Sequence, residues 1–214
     1  MPKWFVEHVP EVALPLEFTH IPGGRSNLTF RVDDAIGQRW VLRRPPMSRV
    51  LPTAHDMACT DDAVNQASFY VMEFVDGHVL RSAEQVGALF DESDRPGIGV
   101  HLAEVLALLH SVDPDDVGLG DLARRDGYID RQLRRWTEQF RHGIVNENDY
   151  GGVVELVASQ LAAQIPEQAG RGIVHGDFRL DNAVFDDRGE VRAILDWELC
   201  TLGDPMADVG LLMV

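Results

Sequence analysis

The sequence predicts a two-lobed α+β protein, a small antiparallel-sheet lobe followed by a mostly helical one. Three observations carry that prediction. Apolar residues alternate with period two in short runs between residues 16 and 42 and return as an apolar run at 69–75. Beyond residue 77 the apolar residues fall three and four apart, the spacing of one helix face. Short strand-like runs reappear only after residue 172, around a compact turn. The expected division is 1–75 for the sheet lobe and 76–214 for the helical lobe, with a hinge near 73–77.

Taken in order, Leu16 to Ile21 reads as a first strand, broken by Pro22-Gly23-Gly24. Leu28 to Val32 alternates cleanly, Asp33 to Gly37 forms a turn, and Arg39 to Arg43 is a third strand stopped by Pro45-Pro46. Residues 44–68 carry little pattern; Thr53 could cap one helical turn, which is too short to stand alone. Phe69 to Val75 reads as a buried strand closed by Asp76-Gly77. Ile98, Leu102, Val105, Leu106 and Leu109 share a helix face that ends before Asp113-Pro114. Ile129, Leu133, Trp136 and Phe140 form a second stripe, with Arg131, Arg134, Arg135 and Arg141 off it as a solvated face. Val154, Val157, Leu161 and Ile165 form a third, stopped by Pro166. Ile173 to His175, Ala183 to Phe185 and Val191 to Leu195 are short strands, the last two joined by the turn Asp187-Arg188-Gly189. His110 at its helix end is read as a C-terminal dipole partner, and Trp197 as core. The first residues, including Lys3, are expected to fray.

Composition narrows the chemistry. The 214 residues are 45% apolar and 25% charged, which suits a packed globular chain. A net charge of -16 argues against nucleic-acid or anionic-membrane partners, both of which reward Lys and Arg. Lys3 is the only lysine, so Schiff-base chemistry and a phosphate-gripping Lys are excluded. Two cysteines, Cys59 and Cys200, rule out a disulfide scaffold or a cysteine zinc cluster. With no signal-like segment and no long apolar run, a soluble cytoplasmic protein is expected.

The strongest motif is His175-Gly176-Asp177-Phe178-Arg179-Leu180-Asp181-Asn182, followed by Asp196 after the expected hairpin. Phosphoryl transfer needs a carboxylate near the attacking hydroxyl and oxygen ligands for Mg²⁺ on the phosphates. Asp177 suits the first role; Asn182, five residues on, and Asp196 suit the second. Arg179 can bring charge to a transferring phosphate, and His175 is placed to hold the loop rather than to act as base. Two plainer readings stand beside this one. The acids are ordinary turn residues, or His175 and Asp177 ligate a hydrolytic metal, for which further ligands at suitable spacing are lacking.

These segments resemble the catalytic core of the aminoglycoside phosphotransferase-like, kinase-like superfamily. With Val41-Leu42-Arg43-Arg44-Pro45-Pro46 and Phe69 to Gly77, they look like the branch related to kinase domains fused to some acyl-CoA dehydrogenases. The resemblance implies a protein-kinase-like fold and ATP- or GTP-dependent transfer of a γ-phosphoryl group to the hydroxyl of a small molecule, with Mg²⁺. It implies Asp177 as base, Asn182 and Asp196 as metal ligands, and Asp208 as a brace for the loop. It also implies adenine contacts at Met72, Glu73 and Val75, with Ser26 and Asn27 in the turn over the phosphates. The G-K-[ST] phosphate-binding element is absent.

Two departures qualify the resemblance. The lysine expected on the third strand is matched by Arg43, with Arg44 adjacent on the opposite strand face as the alternative. Between Arg44 and Phe69 there is no room for both a Glu-bearing helix and a further strand, and no Glu lies between Glu17 and Glu73. The chain reads as short after Ala58 and again at Val214, either truncated or lacking segments. A catalytically impaired nucleotide-binding or scaffold protein is therefore the alternative function. The acceptor and the oligomeric state are not legible.

Overall fold

The computed structural model describes residues 1–22, 28–44, 69–143 and 151–213. The chain forms two compact units, Met1–Asp76 and Gly77–Val214.

The first unit is a four-stranded antiparallel sheet in the order β1-β2-β3-β4, with β1 at Glu17–Ile21, β2 at Leu28–Asp33, β3 at Arg39–Arg44 and β4 at Tyr70–Glu73. The β2–β3 turn is tied by Asp34, whose carboxylate accepts from the N–H groups of Ile36 (3.0 Å), Gln38 (2.7 Å) and Ala13 (3.0 Å). Register and pleat then decide the faces. Phe18, Phe30, Val32, Trp40, Leu42 and Val71 share one face. A helix not expected from the sequence, α1 (Pro2–His8), buries Trp4 and Phe5 in a cluster with these residues and Phe69. The N-terminus therefore does not fray. Its seven residues are marginal alone, and burial of two aromatics holds them. Lys3 remains on the exposed side.

The second unit is built on α3 (Arg95–Ser111), whose buried stripe Ile98, Leu102 and Leu106 packs with Phe178, Ala183 and Phe185. It is preceded by α2 (Ala83–Leu89), where Ser82 Oγ accepts from the Gln85 N–H at 3.2 Å. The helices α4 (Tyr128–Gly143) and α5 (Gly151–Ala162) follow. The third stripe ends at Ala162, short of the expected Ile165. The apolar stripes of α4 and α5, including Trp136, Phe140, Val154 and Leu161, line an open groove. Two of the four arginines of α4 form ion pairs on its surface, Arg134 with Asp130 and Arg141 with Glu155. Two small two-stranded sheets complete the unit. β5 (Gly172–Val174) pairs with β8 (Thr201–Gly203), and β6 (Ala183–Phe185) with β7 (Val191–Ile194). A last helix, α6, spans Met206–Leu212. Among the described residues no helix is long and apolar enough to cross a membrane.

Candidate active site

β5 delivers the chain to His175, whose side chain is fully buried. Both ring nitrogens are engaged: Nε2 donates to Leu195 O at 3.0 Å, and Nδ1 accepts the Asp177 N–H at 3.2 Å. This pattern requires the neutral ring, protonated on Nε2. Burial pushes its pKa below the usual 6.5, so His175 is a fixed hydrogen-bonding post and takes up no second proton at neutral pH. The ring lies 4.7 Å from that of Trp197, which is 43% exposed and so is not the core residue expected.

Asp208, on α6, is buried and reaches back to the same loop. Its Oδ2 accepts the His175 N–H and its Oδ1 the Gly176 N–H, each at 2.8 Å. The His110 ring, at the end of α3, donates from Nε2 to Oδ2 at 3.1 Å. His110 is thus a partner of Asp208 and not merely of its own helix dipole. One carboxylate joins α3, the loop and α6. Gly176 has φ +85°, and a Cβ there would stand 2.8 Å from Leu199 O, so only glycine fits.

Beyond that anchor, Asp177 and Asn182 face each other. Asn182 Nδ2 donates to Asp177 Oδ2 at 2.7 Å and to Asp177 O at 2.9 Å. Arg179 stands between two carboxylates: Nη2 donates to Asp181 Oδ2 at 2.6 Å, and Nε lies 3.7 Å from Asp177 Oδ1. Asp181 was not singled out in the sequence; its place two residues after Arg179 is the signal that marks it. A turn of 3₁₀ helix (Leu180–Asn182) leads into β6, and Leu195 N–H donates to Asn182 O at 2.8 Å. The β6–β7 hairpin therefore returns Asp196 to Asn182. Asp196 holds the left-handed conformation at φ 68°, costly for a residue with a Cβ and a feature that concentrates at working sites.

The donor set fits a magnesium ion. With both Asn182 Nδ2 hydrogen bonds directed at Asp177, the amide oxygen is turned away from it. Asp196 adds an anionic oxygen donor. Among the described residues no three His, Cys, Asp or Glu side chains gather as a metal cage. Two oxygen donors, completed by substrate phosphates and water, are how Mg²⁺ is usually held.

In the first unit, Arg43, Val41, Met72 and Tyr70 share the sheet face opposite α1, since Val41 pairs with Met72 and Arg43 with Tyr70. Arg44 lies on the α1 side. Arg43 Nη1 donates to Tyr70 Oη at 3.3 Å. Strand pairing stops at exposed Glu73, and Val75 lies past the ladder. Ser26, Asn27 and the surroundings of Ala58 lie outside the described residues.

A buried loop braced by a distant aspartate, an Asp–Asn pair and a hairpin that returns a second Asp define a kinase-like α+β protein. The match to the phosphotransferase enzyme family runs over residues 49–214, and the chain belongs to that family. It is 33% identical over 219 residues to mouse acyl-CoA dehydrogenase family member 10, covering 92% of this chain and 20% of that protein. A Ralstonia eutropha protein named as a candidate aminoglycoside phosphotransferase superposes with TM-score 0.76 at 33% identity, over 98% of this chain and 67% of its own. Plasmodium vivax ethanolamine kinase shares the fold, with TM-score 0.63 at 15% identity over 96% of this chain and 62% of its own. The chain spans about a fifth of the length of the mouse relative.

Proposed function

We propose that the protein transfers the γ-phosphoryl group of ATP or GTP to a hydroxyl of a small molecule. The observation that carries this reading is the Asp177–Asn182 pair, in which one amide fixes the carboxylate while its oxygen faces away from it. Asp177 then orients the acceptor hydroxyl and takes its proton at the carboxylate. Asn182 and Asp196 would hold Mg²⁺, which neutralises phosphate charge when bound. Arg179 sets a positive charge beside the transferring group, restrained by Asp181. His175 and Asp208 keep the loop backbone in place through the hydrogen bonds to His175 and Gly176. In the first unit Arg43 grips phosphate, while Met72, Glu73 and Val75 meet the base; Ser26 and Asn27 are proposed to cover the phosphates.

The test is Mg²⁺-dependent transfer from labelled ATP and GTP to a panel of hydroxyl acceptors: amino alcohols, aminoglycosides, sugars and hydroxyacyl compounds. Asp177→Asn is expected to lower the rate by at least about 10²-fold. Transfer at the wild-type rate would sink the mechanism. A chain that binds nucleotide with no dependence on Mg²⁺ and transfers nothing would be the scaffold instead.

A further inference from the structure

We propose that Asp181 is a positioning residue that keeps the Arg179 guanidinium off the working oxygen of Asp177. The inference deepens the proposed function and rests on it. Phe178 and Leu180 pack into the core of the second unit. The backbone between them is extended, with Arg179 at φ -156° and ψ 167°, so the residues alternate in direction. Asp177, Arg179 and Asp181 are left with partly exposed side chains. The guanidinium therefore has an acid two residues away on either side. It is committed to one of them: Nη2 donates to Asp181 Oδ2 at 2.6 Å, whereas Nε stops 3.7 Å from Asp177 Oδ1, beyond a hydrogen bond. Asp177 Oδ2 already accepts from Asn182 Nδ2 at 2.7 Å, so the acceptor hydroxyl falls to Oδ1. A guanidinium closing on Oδ1 would take the lone pairs that the hydroxyl proton needs. Arginine can fork onto any carboxylate within reach, so a cation this near the base has to be held elsewhere. Asp181 holds it, and its charge stays beside the transferring phosphate.

The test combines a crystal structure of Asp181→Ala with a double-mutant cycle on transfer from Mg·ATP in the full chain. In that structure an Arg179 nitrogen should move to within about 3.2 Å of Asp177 Oδ1. An ion pair this exposed is weak, so kcat should fall by about three- to tenfold rather than vanish. Mg·ADP has no γ-phosphate to meet Arg179, and its affinity, read by calorimetry, should stay unchanged. Asp181→Glu, which keeps the carboxylate, should recover most of the rate. In an Arg179→Gln background Asp181→Ala should cost nothing more. A guanidinium that stays away from Asp177, an undiminished kcat in Asp181→Ala, or the same loss with Arg179 already replaced overturns this inference alone. So does failure of Asp181→Glu to recover rate, or weakened Mg·ADP binding, which would mean that Asn182 had shifted instead. A wild-type chain that transfers nothing overturns both this inference and the function on which it rests.

Discussion

Replacing Asp208 by alanine removes the only side chain seen to join the loop backbone to both α3 and α6 among the described residues. The residue is 1% exposed, and its carboxylate accepts two backbone N–H groups at 2.8 Å and the His110 ring at 3.1 Å. Alanine strands one buried donor, the His175 N–H, and one part-buried donor, the Gly176 N–H, at about 1–3 kcal/mol for a buried group and less for the other, and loses the third hydrogen bond as well. Relief of the buried carboxylate's desolvation offsets part of this. The expected net loss is about 2–5 kcal/mol, a large share of a total stability near 5–15 kcal/mol. With an m-value of about 2 kcal/mol/M, the urea midpoint should fall by about 1–2.5 M. Asp208→Asn should lie between the two proteins, because its oxygen still serves one N–H while its NH₂ opposes another donor. Amide exchange gives the direct reading: protection of His175 and Gly176 should fall first. A midpoint shift under about 0.3 M with protection retained would refute the brace.

Three further outcomes follow from the same geometry. Phe5→Ala, at a fully buried position in the α1–sheet cluster, should cost about 3–5 kcal/mol; a loss below about 1 kcal/mol in urea melts would show that α1 is dispensable. Gly176→Ala must hold φ +85° against Leu199 O and should lose at least about 1–2 kcal/mol, with a matching drop in Tm; an unchanged Tm would mean the loop relaxes freely. His175 has a depressed folded pKa, so unfolding takes up a proton below the usual 6.5. Its contribution is full above that pH and is lost as the pH falls below it, at up to about 1.4 kcal/mol per pH unit. His175→Asn should be less stable at pH 7.5 yet show a shallower decline between about pH 6.5 and 5.5; urea midpoints that fall as steeply as wild type would contradict this.

What the sequence made legible was local. The helix stripe Ile98, Leu102 and Leu106 is the buried face of α3, and the alternating runs became β1 to β3 within a residue or two. The loop from His175 to Asn182 packs its chemistry into eight positions, so its internal distances follow from chain geometry. Elements held only by tertiary contact were missed. α1 is seven residues long and exists because Trp4 and Phe5 find a sheet face. β8 is three residues, too short for any periodicity. α2 carries a local signal in Ser82-x-x-Gln85, where Ser82 Oγ accepts the Gln85 N–H and the Gln85 side chain accepts the Arg81 N–H at 2.8 Å.

The same distinction decides what could be said about individual side chains. His110 sits 98 residues from Asp208, so a local reading saw only a histidine at a helix end and assigned it to the dipole. Trp197 reads as core from the sequence, yet it is 43% exposed and follows Asp196, which is left-handed at φ 68°. Arg43 and Arg44 could not be separated by composition or motif, since a one-residue slip exchanges the two faces of a strand. The observed register settles the faces: Arg43 stands with Val41, Tyr70 and Met72, and Arg44 stands with Leu42 on the α1 side. If Arg43 is the phosphate cation, the face it occupies must tolerate a bound anion, whereas a phosphate approaching Arg44 would have to displace the cluster around Phe5 and Phe69. Arg43→Gln should therefore weaken Mg·ATP binding by at least about tenfold while Arg44→Gln changes it less than about twofold. The reverse order, measured in the same titration, would place the nucleotide on the wrong side of the sheet for everything argued from this register.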